Sequence, residues 1–387
     1  MRVLSSIPDP REGGPHRRSL AVARGLRQYD IETVFLLPAA ADEFASKARK
    51  YGFTVEQKRF PRIRAPRQVG ANLSFLVGFL PAVRRIRTVI DRHDIDVVHA
   101  NAPLNLPTAL ASARSDAALV WHFNDTLTPW PLNRLTGQLA MRWADIPVVA
   151  ADSVHGHFFP PETATDTLYA PVDIEEYDPA NRSIDEREKR AELGLDHDVP
   201  VVGMVGNINP VKGVDTFVRA ISRIVEEYGD VAGVVVGSQL ESQSAYYERV
   251  VDLCEELGVD EHITFTGWRS DVPELLSLFD LFTLPSSSEA CPMVVLEAMA
   301  MCCPVVATTV GGVPEMIPDE DHGWTVPPDD PEAFAVAVCD ALENPNARAQ
   351  RAAQAYQRVR DRFSLSACLA AHDEVYRTAA DRAGRRI

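Results

Sequence analysis

The sequence predicts an α/β fold of two doubly wound domains, and three observations carry that prediction. Short β-branched runs alternate with amphipathic helical stretches along the chain, the pattern of parallel sheets covered by helices. At 387 residues the chain is long for a single hydrophobic core, so two domains of ordinary size are expected. A polar, proline-marked stretch, Y-D-P-A-N-R-S-I-D-E-R-E-K-R at Tyr177–Arg190, separates two sets of predicted strands.

The first set is Arg2–Ile7, Thr33–Leu37, Asp96–Ala100, Ala118–Phe123, Pro147–Ala151 and Thr167–Tyr169. The second is Val201–Val205, Gly233–Val236, Ile263–Thr266, Leu281–Leu284, Val305–Thr308 and Trp324–Val326. The predicted organisation is an N-terminal Rossmann-like domain over residues 1–178 and a C-terminal one over 179–360. A last helical segment, 361–387, is expected to pack back on the first domain. Open parallel sheets bind ligands at the carboxyl ends of their strands, so two such edges facing each other predict a deep cleft.

Composition narrows the function. Hydrophobic content of 46% and charged content of 24% describe a globular chain. No apolar run reaches the ~20 residues of a membrane span; the longest, Leu73–Val83, contains Gly78 and Pro81. The N-terminal M-R-V-L-S-S-I-P-D-P reads as a first strand, which predicts a cytoplasmic protein. Of six cysteines none forms a C-x-x-C pair or a zinc-ligand spacing, so reduced structural thiols and no metal are expected. A net charge of −16 argues against nucleic acid as a partner. Against that background the segment from Lys47 to Arg92 carries twelve basic residues opposed only by Glu56 and Asp91. It also holds the apolar run L-S-F-L-V-G-F-L, and reads either as a surface for anionic lipid or as a solvated helix face.

The chemistry lies in loops that follow strands. V-G-N-I-N-P-V-K-G, Val205–Gly213, precedes apolar residues at steps of three and four from Val214. Lys212 and Gly213 therefore sit at a helix N-terminus, where free N–H groups and the dipole favour an anion. The Walker pattern needs a Gly-Lys-Ser/Thr order that is missing. In S-S-S-E-A-C-P-M-V-V-L-E-A-M-A, Ser286–Ala300, Pro292 suits the first turn of a helix. That puts Glu289 in the preceding loop and Glu297 in the helix, each a carboxylate able to take two hydroxyls of a sugar diol. The apolar flanks of Glu297 predict that it is buried. V-G-G-V-P-E, Val310–Glu315, lets backbone approach closely. Gly267-Trp268-Arg269 follows another strand, its indole lying either against a nucleobase or in the core. In the first domain E-G-G-P, Glu12–Pro15, precedes a helix predicted from near His16, and W-H-F-N-D ends a strand with His122 and Asp125.

These motifs resemble glycosyltransferase family 4, the retaining enzymes of GT-B architecture and group 1 type. The family block P-S-x-x-E followed after seven residues by E-A-M-A is matched by P-S-S-S-E-A-C-P-M-V-V-L-E-A-M-A from Pro285, and P-V-V-A-T-T-V-G-G-V-P-E follows from Pro304. The likeness is strong over Val201–Asn344, and in the first domain rests on the G-G turn, the D-V-V-H-A strand and the strand-end histidine. It implies a sugar transferred from a nucleotide-diphosphate donor, UDP- or GDP-linked, to the hydroxyl of a glycan or lipid-linked acceptor, with no cofactor. Lys212 would neutralise the diphosphate, helped by N–H groups at Gly13–Gly14 and at Cys291, Pro292, Met293 and Val294 (the proline position itself lacking one). Glu297 would hold the ribose diol and Glu289 the donor-sugar hydroxyls. Trp268, Arg269 and Asn207 complete the implied donor site, and His122 would touch the transferred sugar from the other domain. Two positions depart from the family: Asn207 stands where arginine is usual, and Cys302 where a glycine usually ends the helix. A non-catalytic GT-B binding partner and a nucleotide-sugar epimerase are the alternatives, and a phosphorylase is disfavoured by the scarcity of lysine.

Overall fold

A computed structural model describes residues 1–63, 69–181 and 185–384. The chain divides into two compact units, Met1–Pro171 with Leu365–Ile387, and Val172–Ser364. In the first the strands are β1 (Arg2–Ser6), β2 (Glu32–Pro38), β3 (Thr54–Lys58), β4 (Val97–Asn101), β5 (Ala118–Phe123), β6 (Ile146–Val149) and β7 (Asp166–Thr167). In the second they are β8 (Val201–Val205), β9 (Ala232–Val236), β10 (Ile263–Gly267), β11 (Leu281–Leu284), β12 (Val305–Thr308) and β13 (Trp324–Val326).

Among the described residues the first sheet runs β3-β2-β1-β4-β5-β6-β7 and the second β10-β9-β8-β11-β12-β13. Every pairing is parallel. In each sheet the order reverses beside the first strand of the unit, which is where open α/β sheets leave a crevice at their carboxyl edge. Central strands such as β4 and β5 are buried at every residue, as expected of strands covered on both faces.

All twelve predicted strands are present, with ends shifted by at most two residues. The strand without a counterpart in the prediction is β3, T-V-E-Q-K. It lies at the sheet edge, where four of its five residues are only partly buried and polar side chains replace a hydrophobic run. The helix predicted from near His16 begins two residues earlier, at Gly14.

The units divide at 171/172 and 364/365 rather than at 178/179 and 360/361. Val172 pairs with Ser364, and its N–H donates to Phe363 O at 2.9 Å, so outgoing and returning strands of chain lie side by side. Those crossings are short and partly apolar, whereas the polar Tyr177–Arg190 stretch lies within the second unit, with residues 182–184 outside the described residues. The helix Leu365–Gly384 packs on the first unit, placing Leu369, Val375, Tyr376 and Ala379 in one core with Val22, Leu26, Val97 and Val120.

Cys302 has φ of +52° just past the helix Met293–Ala300, the left-handed conformation in which helices often end. The residue type departs from glycine here, while the backbone does not.

Candidate active site

In the second unit Lys212, Glu289 and the V-G-G turn lie in the segments that follow β8, β11 and β12, while Trp268 and Arg269 follow β10, two strands from β8. Asn209 takes N–H donors from Val211 (3.0 Å) and Lys212 (3.3 Å), capping the short turn Pro210–Lys212 that delivers the lysine. The lysine stem lies over Gly206, its Cδ and Cε 3.4 Å from where a Cβ would stand. Its ammonium donates to Glu289 Oε1 at 2.6 Å, and Ser286 Oγ donates to the same oxygen at 2.8 Å. Lysine and glutamate side chains are only 23% and 12% exposed, so this pair is shielded from water and screened less than a surface pair.

Two glycines hold this geometry. A Cβ on Gly213 would stand 2.1 Å from Pro285 O, and one on Gly311, whose φ is +50°, would stand 1.8 Å from Glu289 O. Gly312 N–H donates to Ala290 O at 2.8 Å, and Ser287 N–H to Val211 O at 2.9 Å. The lysine turn, the Glu289 loop and the V-G-G turn are thus stitched backbone to backbone. Neither the ion pair nor the part played by Ser286 is readable from spacing, since Lys212 and Glu289 are 77 residues apart.

Pro292 sits at the N-cap of Met293–Ala300 rather than inside it, and the first turn of that helix holds no acidic residue. Cys291 and the N–H groups of Met293 and Val294 lie at this positive helix end. Glu297 is buried at 3% exposure, in line with its apolar flanks. Trp268 is 73% exposed, which removes the core alternative for its indole. Arg269 beside it is tied to Asp271 (2.6 and 2.8 Å) and Glu192 (2.6 Å), with Lys189 bound to both carboxylates. Hydrogen bonding from Arg269 holds the Asp271 carboxyl well below the usual range. Asn207 contributes its carbonyl to Asn209 Nδ2 at 3.0 Å.

In the first unit Gly13 caps the helix Gly14–Leu26 in extended conformation, with open space where a Cβ would be and no acidic residue in the first turn. Nearby, Glu12 pairs with Lys47 at 2.9 Å, and Asp9 with Arg62 at 2.9 Å and Arg11 at 3.0 Å.

His122 requires a correction. It is 0% exposed and therefore offers no surface to a transferred sugar. It is the fifth of six residues in β5, buried on both faces, and the open loop starts only at Asn124. Its Nδ1 accepts from Arg18 at 3.1 Å, while a second Arg18 nitrogen donates to His372 Nε2 at 3.1 Å. Since arginine only donates, both ring nitrogens are acceptors and both rings are neutral. His99 Nε2 lies 3.1 Å from His122 Nδ1, and Tyr376 Oη 2.6 Å from His99 Nδ1. The group joins the helices Gly14–Leu26 and Leu365–Gly384 to β4 and β5.

Burial, reinforced by the Arg18 charge, pushes all three imidazoles below their ordinary range, His372 to about 3. A neutral buried histidine favours the folded state while the unfolded ring is also neutral. Its contribution is whole above the unfolded pKa of ~6.5 and is lost as pH falls from there toward the folded value. Each ring costs up to ~1.4 kcal/mol per pH unit in that window. The first unit's thermal midpoint is accordingly expected to drop steeply between pH 6.5 and 4.5, and more gently in His372→Gln. Equal midpoints for the wild type at pH 7.5 and 4.5 would contradict this.

Comparison with known proteins matches residues 185–358 to the family described as glycosyl transferases group 1, and residues 12–165 to glycosyltransferase family 4. A GDP-mannose-dependent alpha-(1-6)-phosphatidylinositol monomannoside mannosyltransferase of Mycolicibacterium smegmatis is 27% identical over 361 residues, 89% of each chain. A D-inositol 3-phosphate glycosyltransferase of Mycobacterium ulcerans is 32% identical over 272 residues, 68% of this chain and 54% of that one. Its Mycobacterium marinum counterpart is 35% identical over 189 residues, 48% of this chain and 39% of that one. The match thus spans about half the length or less of these two relatives. Among solved structures, a glycosyltransferase from Rickettsia africae superposes with a TM-score of 0.82 at 19% identity, covering 98% of both chains. Anabaena Alr3699/HepE, solved in complex with UDP, gives 0.82 at 23% identity over 97% of this chain and 99% of that one. These likenesses establish the GT-B class of fold.

Proposed function

Since this chain belongs to glycosyltransferase family 4, of the group 1 type, we propose that it moves a sugar, with retention, from a nucleotide diphosphate to an acceptor hydroxyl. The observation that carries the reading is the shielded Lys212–Glu289 pair at 2.6 Å, at the carboxyl edge of a parallel sheet. In a nucleotide sugar the diphosphate and the transferred sugar are covalent neighbours, and a cation and a carboxylate held side by side match them. Lys212 meets the diphosphate and supplies, in place of a metal, the charge that stabilises the leaving group. N–H groups at the start of Met293–Ala300 add partial positive charge. Glu289 takes sugar hydroxyls, Glu297 the ribose diol, and the exposed Trp268 indole a face of the base. The acceptor oxygen attacks the anomeric carbon on the face from which the diphosphate departs, and a departing phosphate oxygen takes the acceptor's proton. Asn207 leaves Lys212 as the cation of its loop. A relative named as GDP-mannose-dependent and a fold neighbour holding UDP support a nucleotide-sugar donor. Calorimetric titration with UDP, GDP and ADP, without added metal, tests it: one nucleotide binds tightly, and binding of none sinks the transferase reading in favour of a non-catalytic member of the fold.

The proposal extends to where the protein works. The helix Val69–Arg92 exposes Leu73, Leu76, Val77 and Leu80 at 60%, 68%, 72% and 54%. Their spacing draws one stripe, which continues at steps of four and seven from Leu80 into exposed Arg84 and Arg87. Farther along, Ala82, Val83, Ile86, Val89 and Ile90 are buried, fixing the helix to the unit. Arg64 and Arg67 of the basic segment lie outside the described residues. No described helix is long and apolar enough to cross a membrane. An apolar stripe running into arginine suits peripheral docking on an anionic bilayer and access to a lipid-linked acceptor. Co-sedimentation is expected with vesicles containing phosphatidylglycerol and not with pure phosphatidylcholine, and Leu76→Asp with Val77→Asp is expected to abolish it. Binding indifferent to lipid charge would remove the docking surface.

A further inference from the structure

The loop between β5 and the helix Leu132–Trp143 combines rigidity with apolar exposure. Asp125 Oδ1 accepts from Leu127 N (3.0 Å), Thr128 N (2.9 Å) and Thr128 Oγ1 (2.9 Å). Thr128 is 4% exposed, and its carbonyl accepts from His157 Nε2 at 2.8 Å. His157 O in turn accepts from Asn133 Nδ2 at 2.8 Å. On this pinned frame Trp130 is 79% exposed and Leu127 62%. A loop so fully hydrogen-bonded has no need of an indole in water, and neighbouring exposed apolar groups mark binding surfaces.

We propose that this loop is an acceptor subsite for a pyranose ring, with Trp130 as the stacking platform and Asp125 as the hydroxyl acceptor. The inference rests on the transferase reading above. An indole presents a broad apolar face that matches the C–H face of a pyranose while its edge stays wet. All three hydrogen bonds to Asp125 fall on Oδ1, and among the described residues Oδ2 receives none, leaving it for ligand hydroxyls. The loop follows the carboxyl end of β5, the edge where open α/β sheets take ligands. A bilayer is the poorer occupant. Asn124–Pro131 carries one carboxylate and no lysine or arginine, unlike the Val69–Arg92 stripe.

The test is saturation-transfer NMR with the methyl glycosides of glucose, galactose, mannose and N-acetylglucosamine, in the presence of whichever nucleotide binds. At least one glycoside is expected to show transfer to its ring C–H protons. The effect should fall at least fivefold in Trp130→Ala and in Asp125→Asn, and survive in Trp130→Phe, with nucleotide affinity the same in all. Unchanged transfer in Trp130→Ala, or no response to any glycoside in a protein that binds nucleotide, overturns the subsite alone. So does loss of vesicle binding, rather than of glycoside transfer, in Trp130→Ala. A protein that binds no nucleotide fails the transferase reading, and the subsite falls with it.

Discussion

Lys212→Ala is expected to weaken the diphosphate nucleotide that the wild type binds by about 10- to 150-fold, the equivalent of ~1.5–3 kcal/mol for one charge-assisted contact. The loss should be confined to the phosphates: the parent nucleoside, which carries none, should bind both proteins alike. The variant also leaves Glu289, 12% exposed, without its ammonium partner. Part of the loss therefore reflects repulsion between that carboxylate and the diphosphate. Lys212→Arg should rescue poorly, because the lysine stem threads past Gly206 at 3.4 Å and a planar guanidinium needs more width than a single ammonium. Glu289→Gln separates the two roles. It frees the ammonium from its counter-ion, so nucleotide affinity should hold or rise while sugar transfer falls. Calorimetry on the three variants checks this, and unchanged affinity in Lys212→Ala would remove the lysine from the donor site.

The second large effect is expected at Gly311. Its φ of +50° strains any L side chain, and a Cβ would stand 1.8 Å from the Glu289 carbonyl and 3.2 Å from that of Ala290. Left-handed strain of ~1–2 kcal/mol and overpacking of ~1–3 kcal/mol together predict that Gly311→Ala destabilises the second unit by about 2–5 kcal/mol. What relief exists comes from moving the Glu289 loop, which carries the carboxylate away from Lys212. Stability and nucleotide affinity should therefore fall together. Gly258→Ala is the control, with φ of +66° and nothing within 4 Å of its Cβ, so it isolates the conformational cost. Denaturant midpoints that match between the two variants would show that the close approach to Glu289 carries no weight.

What could be read from the sequence follows from how local each feature is. The buried strands announce themselves as β-branched runs, and the lysine turn as a strand, a glycine and an amphipathic period. β3 escaped because an edge strand needs no hydrophobic run. His122 misled because its place in the strand, one residue short of the end, matters more than its nearness to a loop. The Arg18 group joins residues 18, 99, 122 and 372, and no spacing announces such a contact. The same holds for the Lys212–Glu289–Ser286 junction: Lys212 and Glu289 were each legible, while their meeting and the part of Ser286 were not. Trp268 stood between two readings, and its exposure removes the core one.

The adjacency of Val172 and Ser364 bears on how the protein is made. Every residue of the second unit leaves the ribosome before the helix Leu365–Gly384, which completes the first unit's core. Although its strands are synthesised first, the first unit must wait, with the cleft beside Val22 and Val97 unfilled, until its neighbour has been translated. The second unit, contiguous and with its ends paired, can fold on its own and, with residues 172–364 expressed alone, should make a self-contained domain.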